Sequence, residues 1–61
     1  MGVYRKDQRV TVAATTIQRS NGAAWRGEMG IIVAESGDGY TVRFDSGFVA
    51  DRVTDQDVRQ A

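Results

Sequence analysis

The sequence predicts an all-β fold of about five short strands, with one short helical turn before the last strand. Two observations predict this class. Short runs of alternating apolar and polar residues are typical of strands with one buried face, and turns rich in Gly, Asp and Ser separate these runs at short intervals. We therefore expect one domain over residues 9–61, preceded by a flexible N-terminus at residues 1–8.

The first half of the chain predicts two strands joined by a long loop. The first strand covers residues 9–14, where alternation turns the valines inward. Residues 15–24 are rich in Thr, Ser, Asn and Gly and predict a loop, with Ile17 turned inward as an anchor. The second strand covers residues 27–34. Gly30 within it predicts a bulge or a sharp bend.

The second half of the chain predicts three strands joined by tight turns. Ser36-Gly37-Asp38-Gly39 has the residues of a hairpin turn, and residues 40–45 alternate cleanly. After a turn at residues 45–47, a fourth strand covers residues 48–53. Thr54 is expected to cap a single helical turn over residues 54–57, and the last strand begins at Val58. This arrangement fits a partly open, Src-homology-3-like (SH3-like) barrel.

Composition excludes several classes of function. The chain has 61 residues, no Cys and no His. Disulfides, Cys-His pairs, Ser-His-Asp triads and the usual transition-metal sites are therefore excluded or improbable, and we predict no catalytic residue and no metal ligand. No apolar run approaches the roughly 20 residues that span a bilayer. We expect a soluble, cytoplasmic protein without membrane association, and a chain this small often gains missing burial by self-association.

The charge is unevenly distributed although eight basic and eight acidic residues balance over the chain. Residues 1–27 carry a net charge of +4 and residues 28–61 carry −4. One interpretation is that the two halves intermingle on folding. The other is a bipolar surface, which would pair head to tail with a copy of itself or offer a basic face to phosphates.

Several side chains are candidates for structural or binding roles. The only tryptophan is expected to anchor the core or an interface, and three further large residues are expected in the same class. Three arginines are candidates for an anion-binding stripe on one outer face, although carboxylates beside two of them weaken it. The structural candidates are Trp25, Ile32, Tyr40 and Phe44, and the anion-binding candidates are Arg9, Arg43 and Arg52.

Two segments resemble the plasmid-borne type II dihydrofolate reductases, which are SH3-like barrels. They are Gly22-Ala23-Ala24-Trp25-Arg26-Gly27 and Gly39-Tyr40-Thr41-Val42, and the resemblance extends over roughly residues 7–60. It implies a homotetramer around a central pore in which NADPH and dihydrofolate meet. The cofactor-binding positions that it implies are Arg19, Val49, Ala50, Asp51 and Arg52.

The chain departs from that family at the pore. The family carries Val-Gln-Ile-Tyr there, and this sequence carries Val49-Ala50-Asp51-Arg52. Four Asp51 carboxylates around a symmetric pore would repel one another unless a neighbouring arginine neutralised them. We take these departures as an argument against reductase activity.

A looser resemblance joins the chain to accessory barrels of electron transport, such as the small stromal barrel subunit of photosystem I, and to KOW and Tudor-like barrels. The leading hypothesis is a non-catalytic barrel that binds itself or another protein and needs no cofactor. The alternatives are a diverged NADPH-dependent reductase and a nucleic-acid-binding barrel using the basic residues of the first half. These are Arg5, Lys6, Arg9, Arg19 and Arg26.

Overall fold

Seven strands in two antiparallel sheets form the described part of the chain. The structure is a computed structural model and describes residues 4–61. The strands are β1 (Arg9–Val12), β2 (Thr16–Arg19), β3 (Gly22–Trp25), β4 (Met29–Ser36), β5 (Gly39–Phe44), β6 (Val49–Val53) and β7 (Val58–Gln60). The larger sheet has the order β6-β5-β4-β1-β7, and β2 pairs with β3 in the second. The prediction of an all-β fold is confirmed.

The five strands of the larger sheet are the five that the sequence predicts, with small shifts at their ends. The first strand ends at Val12, because the amides of Ala13 and Ala14 leave the sheet and donate to the carbonyl of Asp57, at 2.9 and 3.2 Å. The prediction of a partly open, five-stranded SH3-like barrel is not confirmed, since the strands of residues 4–61 form two separate sheets.

The predicted loop at residues 15–24 is wrong, because this segment forms the β2–β3 hairpin. Its register pairs Arg19 with Gly22, which leaves a two-residue turn at Ser20-Asn21. Ile17 is buried, as predicted. The sequence gives no alternating apolar pattern for this hairpin, because only Ile17 and Ala24 of its eight strand residues are buried.

The predicted helical turn at residues 54–57 is also wrong. The segment is a hydrogen-bonded turn, in which the Asp57 amide donates to the Thr54 carbonyl at 3.0 Å. The side chain of Asp57 accepts from the Thr54 amide at 3.1 Å, so the acid rather than the threonine hydroxyl makes the capping contact. Only four residues separate Val53 from Val58, which leaves no room for a longer helix.

The bulge or bend predicted at Gly30 is not found there, although β4 has an irregularity further along. Gly30 pairs regularly with Val10 on one side and with Phe44 on the other. The pairing of β4 with β5 shifts between Ile32 and Ala34 instead. A second shift falls in β6 opposite β5, where Arg52 adopts a φ of 52°.

The core lies between the larger sheet and the hairpin. Tyr40, Val42 and Phe44 face inward from β5, as the alternation predicts, and Ile32 faces inward from β4. The buried apolar residues are Val10, Val12, Ile17, Ala24, Ile32, Tyr40, Val42, Phe44, Ala50, Val53 and Val58.

Tyr4, the first described residue, packs against this core. Its amide donates to the Tyr40 hydroxyl at 3.1 Å, its own hydroxyl donates to the Val58 carbonyl at 3.2 Å, and the two tyrosine rings meet edge to face. Residues 1–3 of the segment predicted to be flexible lie outside the described residues. Across residues 4–61, no helix has the length and apolar character needed to cross a bilayer.

Candidate binding surface

Arg19 joins the hairpin to the larger sheet. Its guanidinium donates to the Asp51 carbonyl from Nε at 3.0 Å and from Nη2 at 2.8 Å, and Nη2 also lies 3.3 Å from the Arg52 carbonyl. Asn21 adds a bond from Nδ2 to the Val49 carbonyl at 3.0 Å. These bonds occupy three carbonyls of β6, so Arg19 has a structural role in this fold.

Four of the five positions implied by the reductase resemblance line one cleft, and the fifth does not; the four are Arg19, Val49, Asp51 and Arg52. Ala50 is fully buried in the core, whereas Val49, Asp51 and Arg52 are exposed. Asp51 lies between two arginines, with Oδ1 at 3.4 Å from Arg19 Nε and Oδ2 at 3.4 Å from Arg52 Nε. Within one chain, the Asp51 carboxylate is therefore neutralised by these arginines, which leave a net charge of +1.

The three arginines predicted to bind anions occupy two different environments. Arg9 and Arg43 lie on the outer face of the larger sheet, on either side of Ile31. Arg9 Nη2 is 3.4 Å from Asp45 Oδ2, so an ion pair passes over β4. Arg52 lies at the bulge of β6 beside Asp51. Two of the three therefore already contact a carboxylate.

Trp25 is the most exposed large apolar residue of the described chain. It is 56% exposed at the end of β3, so it does not anchor the core, and its predicted alternative role at an interface stays a prediction. Ile32, Tyr40 and Phe44 are buried. A tight turn explains the placement of its backbone. The Trp25 amide donates to Glu28 Oε2 at 2.7 Å, and its carbonyl accepts from the Glu28 amide at 3.0 Å.

A cleft opens beside this turn. Its backbone is fixed by bonds from the Arg26 amide to the Thr15 carbonyl and from the Gly27 amide to the Val12 carbonyl, both 3.1 Å long. Arg59 reaches the cleft from β7, where it pairs with Thr11. The lining residues are Thr11, Val12, Ala13, Arg26, Gly27 and Arg59. We call this the Arg26–Arg59 cleft.

The Arg26–Arg59 cleft is positively charged. No carboxylate lines it, and within residues 4–61 neither arginine forms an ion pair. The sequence did not predict that Arg26 and Arg59, which are 33 positions apart, line the same cleft. Only the antiparallel pairing of β1 with β7 brings Arg59 to the start of β4, and no local pattern encodes that register.

A second cleft lies at the β4–β5 turn and carries the opposite charge. Its lining includes three carboxylates and no cation: Glu35, Ser36, Gly37, Asp38, Gly39, Tyr40, Thr54 and Asp55. We call it the acidic turn cleft. In the described part of the chain, no three Asp or Glu side chains are placed to hold a metal ion.

Comparison of the chain with protein-family models, with curated proteins and with solved structures finds no significant match.

Proposed function

We propose that this protein is a non-catalytic binding module that contacts a protein surface, either a second copy of itself or another protein, through the face that carries Trp25. One observation carries the proposal. The only tryptophan is more than half exposed, although every residue of the core cluster is almost completely buried. Tryptophan and arginine are the residues most enriched at the energetic centres of protein interfaces, and Trp25 directly precedes Arg26.

Burial of this indole at an interface would contribute a large binding free energy for so small a domain. Its exposed part amounts to on the order of 100 Å², and burial at about 25 cal/mol per Å² contributes roughly 2.5 kcal/mol. A partner that covers Trp25 would therefore bind on the order of 50-fold more tightly than one that leaves it in water.

We further propose that the two sheets belong to an SH3-like barrel. The larger sheet follows the chain as a meander from β4 to β6, and β7 returns to the free side of β1. The β2–β3 hairpin follows β1 and precedes β4 along the chain. In space it contacts the edge of β6, through hydrogen bonds from Arg19 and Asn21. Such small barrels present binding surfaces on their outer walls and at their loops.

The two alternative functions have less support. A reductase pore built on residues 49–52 would lose one lining side chain, since Ala50 faces the core. A nucleic-acid surface over the first half of the chain would need free cations, but Arg9 and Arg19 contact Asp45 and Asp51. The proposed module requires neither NADPH nor a metal, and we expect it to work in the cytoplasm.

Sedimentation velocity tests self-association through Trp25. The wild-type protein is expected to associate between micromolar and millimolar concentration, and the emission of its only tryptophan is expected to shift to the blue as the oligomer forms. Trp25→Ser should weaken association at least tenfold, in line with the burial estimate. The matched control is Val49→Ser, which changes the other exposed large apolar residue among residues 4–61 and should leave association intact.

Two results would contradict self-association through Trp25. A wild-type protein that remains monomeric at millimolar concentration excludes self-association. Equal association by Trp25→Ser and Val49→Ser removes Trp25 from the interface. Because both side chains are exposed, thermal unfolding of the two variants should match that of the wild type.

A further inference from the structure

The cations of residues 4–61 divide into those that form an ion pair with a carboxylate and those that do not. Arg9, Arg19 and Arg52 each contact a carboxylate. Arg26 and Arg59 have no ion pair among residues 4–61, and they line the same cleft. Two guanidinium groups in one concavity repel each other and attract an anionic group.

The same chain carries a surface of opposite charge. Asp38 and Asp55 line the acidic turn cleft, and in the described part of the chain neither forms an ion pair. Asp38 lies in the tight turn between β4 and β5, and its amide donates to the Ser36 hydroxyl at 3.3 Å. This turn presents a carboxylate on a narrow hairpin end, a shape suited to entering a cleft.

The β4–β5 turn lies far from the Arg26–Arg59 cleft of the same molecule, because the two sites are at opposite ends of β4. Arg59 pairs with Thr11, which pairs with Met29 at the start of β4, whereas the turn follows Ser36 at the end of β4. Seven residues of strand span about 23 Å, which is far longer than an arginine side chain. The Asp38 of one molecule therefore cannot neutralise the Arg26–Arg59 cleft of the same molecule.

We propose that the Arg26–Arg59 cleft receives the β4–β5 turn of a second copy in a head-to-tail contact, with Asp38 and Asp55 facing the two arginines. The inference rests on the proposed function, because it names the partner of the surface to which Trp25 belongs. The charge complementarity of the two surfaces carries it. A contact between two different surfaces leaves one of each free at the ends of a dimer, so association continues into rings or open chains.

Charge-neutralising variants test the contact. Arg26→Gln/Arg59→Gln removes the cations of the cleft, and Asp38→Asn/Asp55→Asn removes the anions of the turn. All four side chains are exposed, so both variants should fold. Arg5→Gln/Arg43→Gln is the matched control, since it removes two charges from exposed residues that do not line the cleft.

Mixing the two variants gives the decisive result. Each variant alone is expected to associate at least tenfold more weakly than the wild type, because removing one partner of a desolvated charge pair leaves the other charge buried and unpaired. An equimolar mixture should form 1:1 dimers and nothing larger, since each dimer uses the one intact cleft and the one intact turn. The control should associate as the wild type does, and salt should weaken the wild-type assembly.

Three results would overturn the inference. They are unchanged association in either neutralised variant, a mixture that stays monomeric, and a mixture that forms species larger than dimers. Association that Trp25→Ser abolishes but both charge variants retain would refute the head-to-tail contact and still support the proposed function. The two failures are therefore distinguishable.

Discussion

Gly30 offers a sharp test of how tightly the core is packed. It lies in the middle of the sheet, between Val10 of β1 and Phe44 of β5. A Cβ atom at this position would lie 2.8 Å from Phe44 Cδ1, 2.8 Å from Val42 Cγ1 and 3.0 Å from the Arg43 carbonyl oxygen. The Phe44 ring occupies the space that a side chain at position 30 would need. Gly30→Ala must therefore displace core side chains or the backbone of β5.

The expected cost of Gly30→Ala follows from this geometry. Adding a methyl group to a filled core typically costs about 1–3 kcal/mol. A domain of this length has a total stability of roughly 3–9 kcal/mol, and each kcal/mol corresponds to about 4–8 °C in Tm. We expect the Tm to fall by on the order of 10 °C. Backbone strain does not contribute, because the φ of Gly30 is not positive.

Gly37→Ala is the matched control. Gly37 has no positive φ, and nothing lies within 4 Å of the Cβ that the substitution adds. The same chemical change should therefore be neutral or stabilise by up to about 1 kcal/mol through the unfolded chain. Thermal and denaturant unfolding, followed by circular dichroism, compare the two variants. If Gly30→Ala unfolds at the same temperature as Gly37→Ala, the reasoning about core packing is refuted.

Two further predictions concern Arg19 and the reductase alternative. Arg19→Met should reduce the free energy of unfolding by about 1–3 kcal/mol, because the carbonyls of Asp51 and Arg52 lose their charged donor. Arg43 is exposed and forms no ion pair within residues 4–61, so Arg43→Met should change the free energy of unfolding by less than about 0.5 kcal/mol. Urea denaturation measures both, and equal effects would argue against a structural role for Arg19. We also expect no oxidation of NADPH in the presence of dihydrofolate and no thermal shift with NADPH. Turnover above the rate without protein would revive the reductase alternative.

The strand predictions succeeded where burial alternates with a period of two. The spacing of Tyr40, Val42 and Phe44 predicts β5, since a strand places all three side chains on one buried face. The hairpin at residues 16–25 was missed because its strands are mostly polar and are held by Arg19 and Asn21 across to β6. Such long-range side-chain contacts leave no periodic trace in the sequence.

The binding surface was predicted less well than the fold. The sequence singles out Trp25 as exceptional and places excess positive charge in the first half of the chain. It could not show that the indole lies outside the core, because the core is assembled from side chains of all seven strands. Nor could it associate Arg26 with Arg59, since their proximity depends on the pairing of β1 with β7.

Local chemistry by itself determined the strand class, the tight turns and the absence of cysteine and histidine chemistry, because each of these depends on residue type and on neighbours a few positions away. Tertiary structure alone decided which charges meet. Asp51 came to lie between Arg19 and Arg52, while Arg26 and Arg59 form no ion pair within residues 4–61. Strand register sets these pairings, and register is a property of the whole sheet.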